Sequence, residues 1–134
     1  MSPAAIFSVS SAYMALVGLG FIVAPDGILF GTTGTNPSPA LLADLRGVAG
    51  AFIGIAVLNW LARGAEPSTA RNAIVAANTV GFAIAGVAGV AAVLVAGAPT
   101  GQLALGIINL VFAAAFAWVG RTGMAAETGS LPRA

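Results

Sequence analysis

The sequence lacks cysteine, histidine and lysine altogether. Without cysteine the chain forms no disulfide, thiolate nucleophile or thiolate-ligated metal centre. Without histidine it has neither the commonest metal ligand nor the commonest general base. Serine–histidine and cysteine–histidine catalytic pairs are therefore excluded within this chain, and we expect no metal site and no cofactor. The net charge of +1 gives no indication of a nucleic-acid partner.

Charged residues of both signs are scarce. They make up 7% of the 134 residues, whereas hydrophobic residues make up 59%. A water-soluble domain carries about 25% charged residues. Five arginines and four acidic residues are too few to keep the surface of a folded domain of this length in water. The composition therefore predicts an integral membrane protein.

Four apolar stretches have the length of a membrane span, which needs about 20 apolar residues to cross the hydrocarbon core. We predict helices over residues 4–24, 40–61, 73–95 and 101–119, followed by a flexible cytoplasmic tail over 120–134. Clusters of Gly, Pro, Ser and Thr separate the stretches, as turn residues do. A membrane β-barrel would show period-two alternation instead. The expected fold is all-α, a single-domain, four-helix transmembrane bundle that runs up-down-up-down.

The arginines predict how these helices are oriented. With four spans, Arg63, Arg71, Arg121 and Arg133 fall on one side of the membrane, and Arg46 alone falls on the other. Positive charges collect in cytoplasmic loops. Both termini are therefore predicted to be cytoplasmic.

Rows of small residues predict where helices pack closely, because close backbone approach is what holds helices together in lipid. The rows are Ala77, Gly81, Ala85 and Gly89 on the third helix, Gly50 and Gly54 with neighbouring Gly47 and Ala51 on the second, and Ser11 and Ala15 on the first. Such rows fit packing within one monomer, which we favour, or the seam of a homo-oligomer.

Asp26, Asp44 and Arg46 form the charged group on the predicted outer side. Ser38 and Pro39 predict the start of the second helix. The apolar stretch after Arg46 spans only about 22 Å, which draws this turn toward the hydrocarbon, where charged residues are functional candidates. Asp44 and Arg46 are either interfacial anchors or the lining of an outward-opening pocket for a lipid-like molecule. Asp26, in a Pro-Asp-Gly turn, is either a capping residue or a catalytic acid.

The spans contain few polar residues, among them Tyr13, Asn78 and Asn109. Tyr13 and Asn109 fall roughly 13–15 Å deep, near the midplane. One interpretation is an interhelical hydrogen bond between Tyr13 and Asn109, and the other is the polar floor of a ligand cavity. Asn59 and Asn72 are predicted to lie near the inner interface, where water satisfies them.

Three short segments resemble small bacterial four-helix membrane proteins, namely the DoxX-like set and neighbouring families of unknown function. The segments are Ala24-Pro25-Asp26, Leu45-Arg46-Gly47 and Gly50-Ala51-Phe52-Ile53-Gly54. The resemblance implies a four-helix fold in the bacterial inner membrane, and it transfers no catalytic residue. The cysteine pair of redox-active four-helix membrane proteins is absent, so a quinone–disulfide oxidoreductase role is excluded.

Three functions stay open on the sequence alone. The one we favour is a non-catalytic membrane protein that binds a membrane lipid, another lipophilic ligand or a membrane partner through an outer-leaflet pocket. The second is an isomerase or cyclase of terpenoid-like substrates, with Asp44 or Asp26 as the acid–base group. The third is an oligomeric small transporter. The residues assigned to ligand binding are Arg46, Tyr13, Asn78 and Asn109.

Overall fold

The computed structural model describes residues 2–25, 27 and 38–129, and for 123–129 it describes the backbone alone. Its helices are α1 (Pro3–Val23), α2 (Pro39–Ala62), α3 (Thr69–Leu94) and α4 (Gly101–Gly129). Each of the four contains a stretch that is long and apolar enough to cross a membrane. No strand occurs among the described residues. The predicted all-α, four-helix architecture is therefore confirmed, and the protein is a small multi-pass membrane protein.

Serine residues start three of the helices. The side chains of Ser2, Ser38 and Ser68 each accept a hydrogen bond from the backbone N–H three residues later, at 3.2–3.3 Å. Pro3 and Pro39 occupy the first turn of their helices, where the missing N–H of proline is no loss. Each serine cap stabilises its helix by about 1 kcal/mol. The predicted start of the second helix at Ser38 and Pro39 is confirmed.

Two helices are longer than the apolar stretches that predicted them. α3 begins at Thr69 rather than at residue 73, and α4 continues past Val119 to Gly129. A helix needs apolar residues only where it lies in lipid, so polar turns capped by Ser68 extend α3 beyond the apolar run. Residues 120–129 are predicted from the sequence to be part of a flexible tail, but in the structure they continue helix α4. Residues 130–134 lie outside the described part of the chain.

The helices pack mainly as two antiparallel hairpins, α1 with α2 and α3 with α4, and contacts between the hairpins are fewer. Within the first hairpin, the Ser11 hydroxyl donates to the Ala56 carbonyl at 2.7 Å. Within the second, the backbone of Gly89 packs on that of Gly106. This division into two tight hairpins decides where space is left inside the bundle.

Aromatic side chains of α1, α3 and α4 join the two hairpins. Phe7, Phe82 and Phe116 are fully or almost fully buried. The ring centroids of Phe7 and Phe116 are 5.2 Å apart in an edge-to-face arrangement, and those of Phe82 and Phe116 are 5.9 Å apart in a stacked one. These are favourable geometries for aromatic pairs, so this cluster is the main contact between the hairpins.

Glycine allows close approach at a few positions only. A Cβ on Gly18 would lie 2.8 Å from a side-chain carbon of Ile53. A Cβ on Gly106 would lie 2.9 Å from the backbone nitrogen of Val90 and 3.1 Å from the carbonyl oxygen of Gly86. The closest backbone contacts of the second hairpin therefore depend on glycine.

The small-residue rows pack within the monomer at some positions and not at others. Gly89 packs on α4 and Ser11 bonds to α2, as packing within one monomer predicts. At Gly50, Gly54 and Gly81 a Cβ would meet no atom within 4 Å, so the alternative of a homo-oligomer seam stays a prediction there. A row of small residues creates contact only where a neighbouring helix closes on it.

Candidate functional site

A cavity of about 650 Å³ lies between the two hairpins and is lined by residues from all four helices. On α3 its lining extends from Ala73 to Gly89, which is about 24 Å of helix at 1.5 Å per residue. Its volume is within the range of ligand sites, about 300–1,000 Å³. Polar groups line it at only a few places, and these are Tyr13, Asn59, Asn78, Gln102 and Asn109.

The third helix provides the space because its cavity-facing residues are small. Ala77, Gly81 and Ala85 all line the cavity, and a Cβ on Gly81 has no neighbouring atom within 4 Å. The same three residues are exposed at the surface of the bundle. The cavity is therefore a cleft that opens sideways, toward the surroundings of the helices.

Asn59 and Asn78 pair their side-chain amides across the cleft. Asn59 donates to Asn78 at 3.0 Å, and Asn78 donates back to Asn59 at 2.8 Å. The second N–H of Asn59 bonds to the Ser10 hydroxyl at 3.1 Å, and the second N–H of Asn78 bonds to the Ile74 carbonyl at 2.9 Å. All four amide hydrogens have acceptors, so this pair is a complete interhelical clasp that joins α1, α2 and α3.

The prediction that Asn59 lies in reach of interfacial water is wrong, because Asn59 is 0% exposed. Asn59 precedes the end of α2 by about 4.5 Å, whereas Asn78 lies about 13.5 Å into α3, each counted at 1.5 Å per residue. The two meet because the first turns of α3 reach beyond the end of α2. Counting residues from the loop between α2 and α3 places the two asparagines at different depths, so it does not predict that they meet. The sequence indicates the pairing only by having one asparagine on each side of this loop.

Tyr13 and Asn109 form the second polar pair of the cleft. Both side chains line the cleft, and the hydrogen bond between them stays a prediction. Asn109 donates to the carbonyl of Leu105 at 2.8 Å. The Tyr13 ring lies 5.2 Å from Phe112 and 6.4 Å from Phe82, measured between centroids. Packing against these rings holds the phenol in place beside the cavity.

The structure separates the predicted site residues into two groups. Tyr13, Asn78 and Asn109 line the cavity. Asp44 and Arg46 have exposed side chains on α2 and are not part of the cavity lining. Asp26 lies outside the described residues. The cleft is thus built from the predicted midspan polar residues, not from the predicted outer charges.

Arginine and aromatic side chains meet at the end of the bundle where α2 stops and α3 begins. The Arg63 guanidinium lies 3.4 Å from the centroid of the Trp60 ring and also donates to the Trp60 carbonyl. Arg71 lies 5.6 Å from the centroid of Phe7. A cation over an aromatic face with a long aliphatic stem is typical of a residue at the edge of the hydrocarbon.

The lining of the cleft is apolar apart from a few uncharged polar side chains. No aspartate, glutamate, lysine or arginine is among its lining residues. The described part of the chain contains no group of three or more Asp or Glu side chains that could hold a metal ion. What the arrangement offers is shape, an apolar surface and a few hydrogen-bonding groups.

Comparison with known proteins assigns no family: no protein-family model, no curated protein and no solved structure matches the chain.

Proposed function

We propose that this membrane protein binds one lipophilic molecule, with a long hydrocarbon part, in the cleft between its hairpins and leaves it chemically unchanged. The observation that carries the proposal is the cavity of about 650 Å³ bounded by all four apolar helices. A helical bundle of this size has no packing reason to leave such a space. Close packing is otherwise the rule inside proteins.

The shape of the cleft favours a chain-like ligand. Its length of about 24 Å along α3 is close to the thickness of a bilayer core, about 30 Å. It therefore crosses most of the span and is not confined to an outer leaflet. An apolar cavity does not hold water well. A hydrocarbon chain that fills it restores the dispersion contacts that the lining residues would otherwise lack.

The catalytic alternative has no support from the geometry. A general acid must lie within hydrogen-bonding distance of the reacting atom. Asp44, one of the two carboxylates assigned to catalysis, is exposed on α2 and lies outside the cavity lining. No observation favours the transporter.

Filling the cleft tests the proposal. Gly81→Leu adds an apolar side chain where a Cβ meets no atom within 4 Å, and Gly81 lines the cavity. Gly50→Leu is the matched control, because Gly50 has the same open surroundings near the middle of α2 but does not line the cavity. The measurement is native mass spectrometry of protein released from mild detergent, with heptadecane added as a probe of known mass.

We expect one heptadecane per wild-type chain, the same for Gly50→Leu, and little or none for Gly81→Leu. Equal binding by all three proteins would show that the chain binds only to the outer surface, and it would overturn the proposal. Folding of each variant is checked by helical circular dichroism.

We also propose that both termini and the loop over residues 63–68 face the cytoplasm, in the inner membrane of a bacterium. Support comes from the arginines at that end of the bundle. The absence of cysteine makes labelling simple. Glu66→Cys should react with a membrane-impermeant maleimide only after the cells are opened, whereas Thr100→Cys should react in intact cells. The reverse pattern would refute the orientation.

A further inference from the structure

We infer that the ligand of the cleft is uncharged and carries a hydrogen-bond-accepting oxygen between two hydrocarbon parts, and that Tyr13 and Asn109 bind this oxygen. The inference rests on the proposed function and assigns its ligand class. It follows from the hydrogen-bond donors of the two polar pairs, from the position of Tyr13 along the cleft and from the absence of charge in the lining.

The Tyr13–Asn109 pair has one donor more than it uses. Asn109 has two amide hydrogens and Tyr13 has one hydroxyl hydrogen. The Leu105 carbonyl takes one of the three at 2.8 Å, and a bond between Tyr13 and Asn109, with either side chain as the donor, would take only one more. At least one of the three hydrogens therefore remains for a ligand. Both side chains line the cavity, so a ligand oxygen can take it.

The Asn59–Asn78 clasp differs in this respect. Its four amide hydrogens go to Ser10, to Ile74 and to the two partner amides, at 2.8–3.1 Å. It has no donor to offer a ligand, although both residues line the same cavity. A donor that faces an apolar cavity is stabilised by any acceptor that reaches it. The ligand oxygen is therefore assigned to the Tyr13–Asn109 pair and not to the clasp.

The pair lies near the middle of the cleft. Tyr13 packs on Phe82, with 6.4 Å between ring centroids. Phe82 lies about 13 Å along α3 from Ala73 and about 11 Å from Gly89, the two ends of the α3 lining. The cavity lining on α3 continues in both directions from the point where Tyr13 packs. We therefore expect the ligand to have hydrocarbon on both sides of its oxygen atom. A charged ligand group is excluded there because no opposite charge lines the cavity and charge is costly at this depth.

Two probes that differ in one carbonyl group test the inference. One is a seventeen-carbon ketone with its carbonyl at the central carbon, and the other is heptadecane. Titrations of full-length protein in micelles, followed by native mass spectrometry, give the affinity ratio. We expect the wild-type protein to prefer the ketone by about three- to tenfold, the gain from one net hydrogen bond.

The double variant Tyr13→Phe with Asn109→Leu removes every donor of the pair and should bind both probes equally. Each single variant leaves one donor beside the cavity and should retain part of the preference. Thr79→Val is the control, because the Thr79 hydroxyl donates to the Val75 carbonyl of its own helix at 2.8 Å and does not line the cavity. It should keep the full preference.

Infrared spectroscopy of the bound ketone gives a readout that needs no variant. A hydrogen bond from the pair lowers the carbonyl stretching frequency relative to the ketone in empty micelles. Equal binding of both probes by the wild-type protein, or a bound carbonyl with no frequency shift, overturns the inference and leaves the proposed function standing. If neither probe binds, both the inference and the proposed function are overturned.

Discussion

The Asn59–Asn78 clasp makes the sharpest prediction about stability. Asn59→Leu breaks three hydrogen bonds, one to Ser10 and two to Asn78. Interhelical hydrogen bonds in membranes contribute about 0.6 kcal/mol on average and up to about 1.7 kcal/mol. The remaining amide of Asn78 also loses Asn59 as donor and as acceptor in an apolar interior, and keeps only its bond to the Ile74 carbonyl. We therefore expect Asn59→Leu to lower the free energy of unfolding by about 2–3 kcal/mol.

The double variant separates hydrogen bonding from packing. With Asn59→Leu and Asn78→Leu together, neither amide is left unpaired, and Ser10 keeps its bond to the Phe7 carbonyl at 3.0 Å. The double variant should cost no more than either single one, which corresponds to a coupling energy of at least about 2–3 kcal/mol. Unfolding free energies are measured by steric trapping in micelles. Thr79→Val is the control and should change stability by less than about 0.5 kcal/mol.

Additive losses would refute this reasoning. If the two single losses sum to the loss of the double variant, the amides do not interact. The offset between α2 and α3 inferred from the clasp would then also be wrong.

Further predictions concern packing within each hairpin. Gly106→Ala should destabilise by about 1–3 kcal/mol, because its Cβ would lie 2.9 Å from the Val90 backbone nitrogen. Gly50→Ala should be neutral or stabilising by up to about 1 kcal/mol, and steric trapping compares the two. Ser11→Ala removes the 2.7 Å bond to the Ala56 carbonyl and should cost about 0.6–1.7 kcal/mol by the same assay. A loss for Gly50→Ala as large as that for Gly106→Ala would contradict the assignment of open and closed glycines.

The number and type of helices were predictable because they depend on local properties. Four apolar stretches separated by turn residues are enough to place four spans. The start at Ser38 and Pro39 was also predictable, since capping depends on residues next to one another. The start of α3 and the end of α4 could not be predicted in this way. Helical turns outside the lipid contain polar residues, so a search for apolar stretches does not detect them.

The contents of the cleft were predictable only in part. Tyr13 and Asn109 lie at matching depths counted from the ends of their helices, so their common position in the cavity lining could be predicted. Asn59 and Asn78 lie at different depths by the same count, so their pairing could not. Gly81 and Gly89 belong to the same row of small residues on α3. A Cβ on Gly81 would meet no atom within 4 Å, whereas Gly89 packs on Gly106 of α4. Which of these occurs depends on the arrangement of the hairpins, a non-local property.

Photolabelling shows whether a hydrocarbon chain occupies the cleft. A long alkane bearing a photoactivatable diazirine is irradiated with the reconstituted protein, and adducts are mapped by peptide mass spectrometry with and without excess heptadecane. Met14 and Leu105 line the cavity, whereas Leu16 is 70% exposed on the outside of α1. We expect heptadecane to suppress adducts at Met14 and Leu105 and to leave those at Leu16 unchanged. Adducts at Leu16 alone, or equal suppression at all three residues, would contradict this expectation.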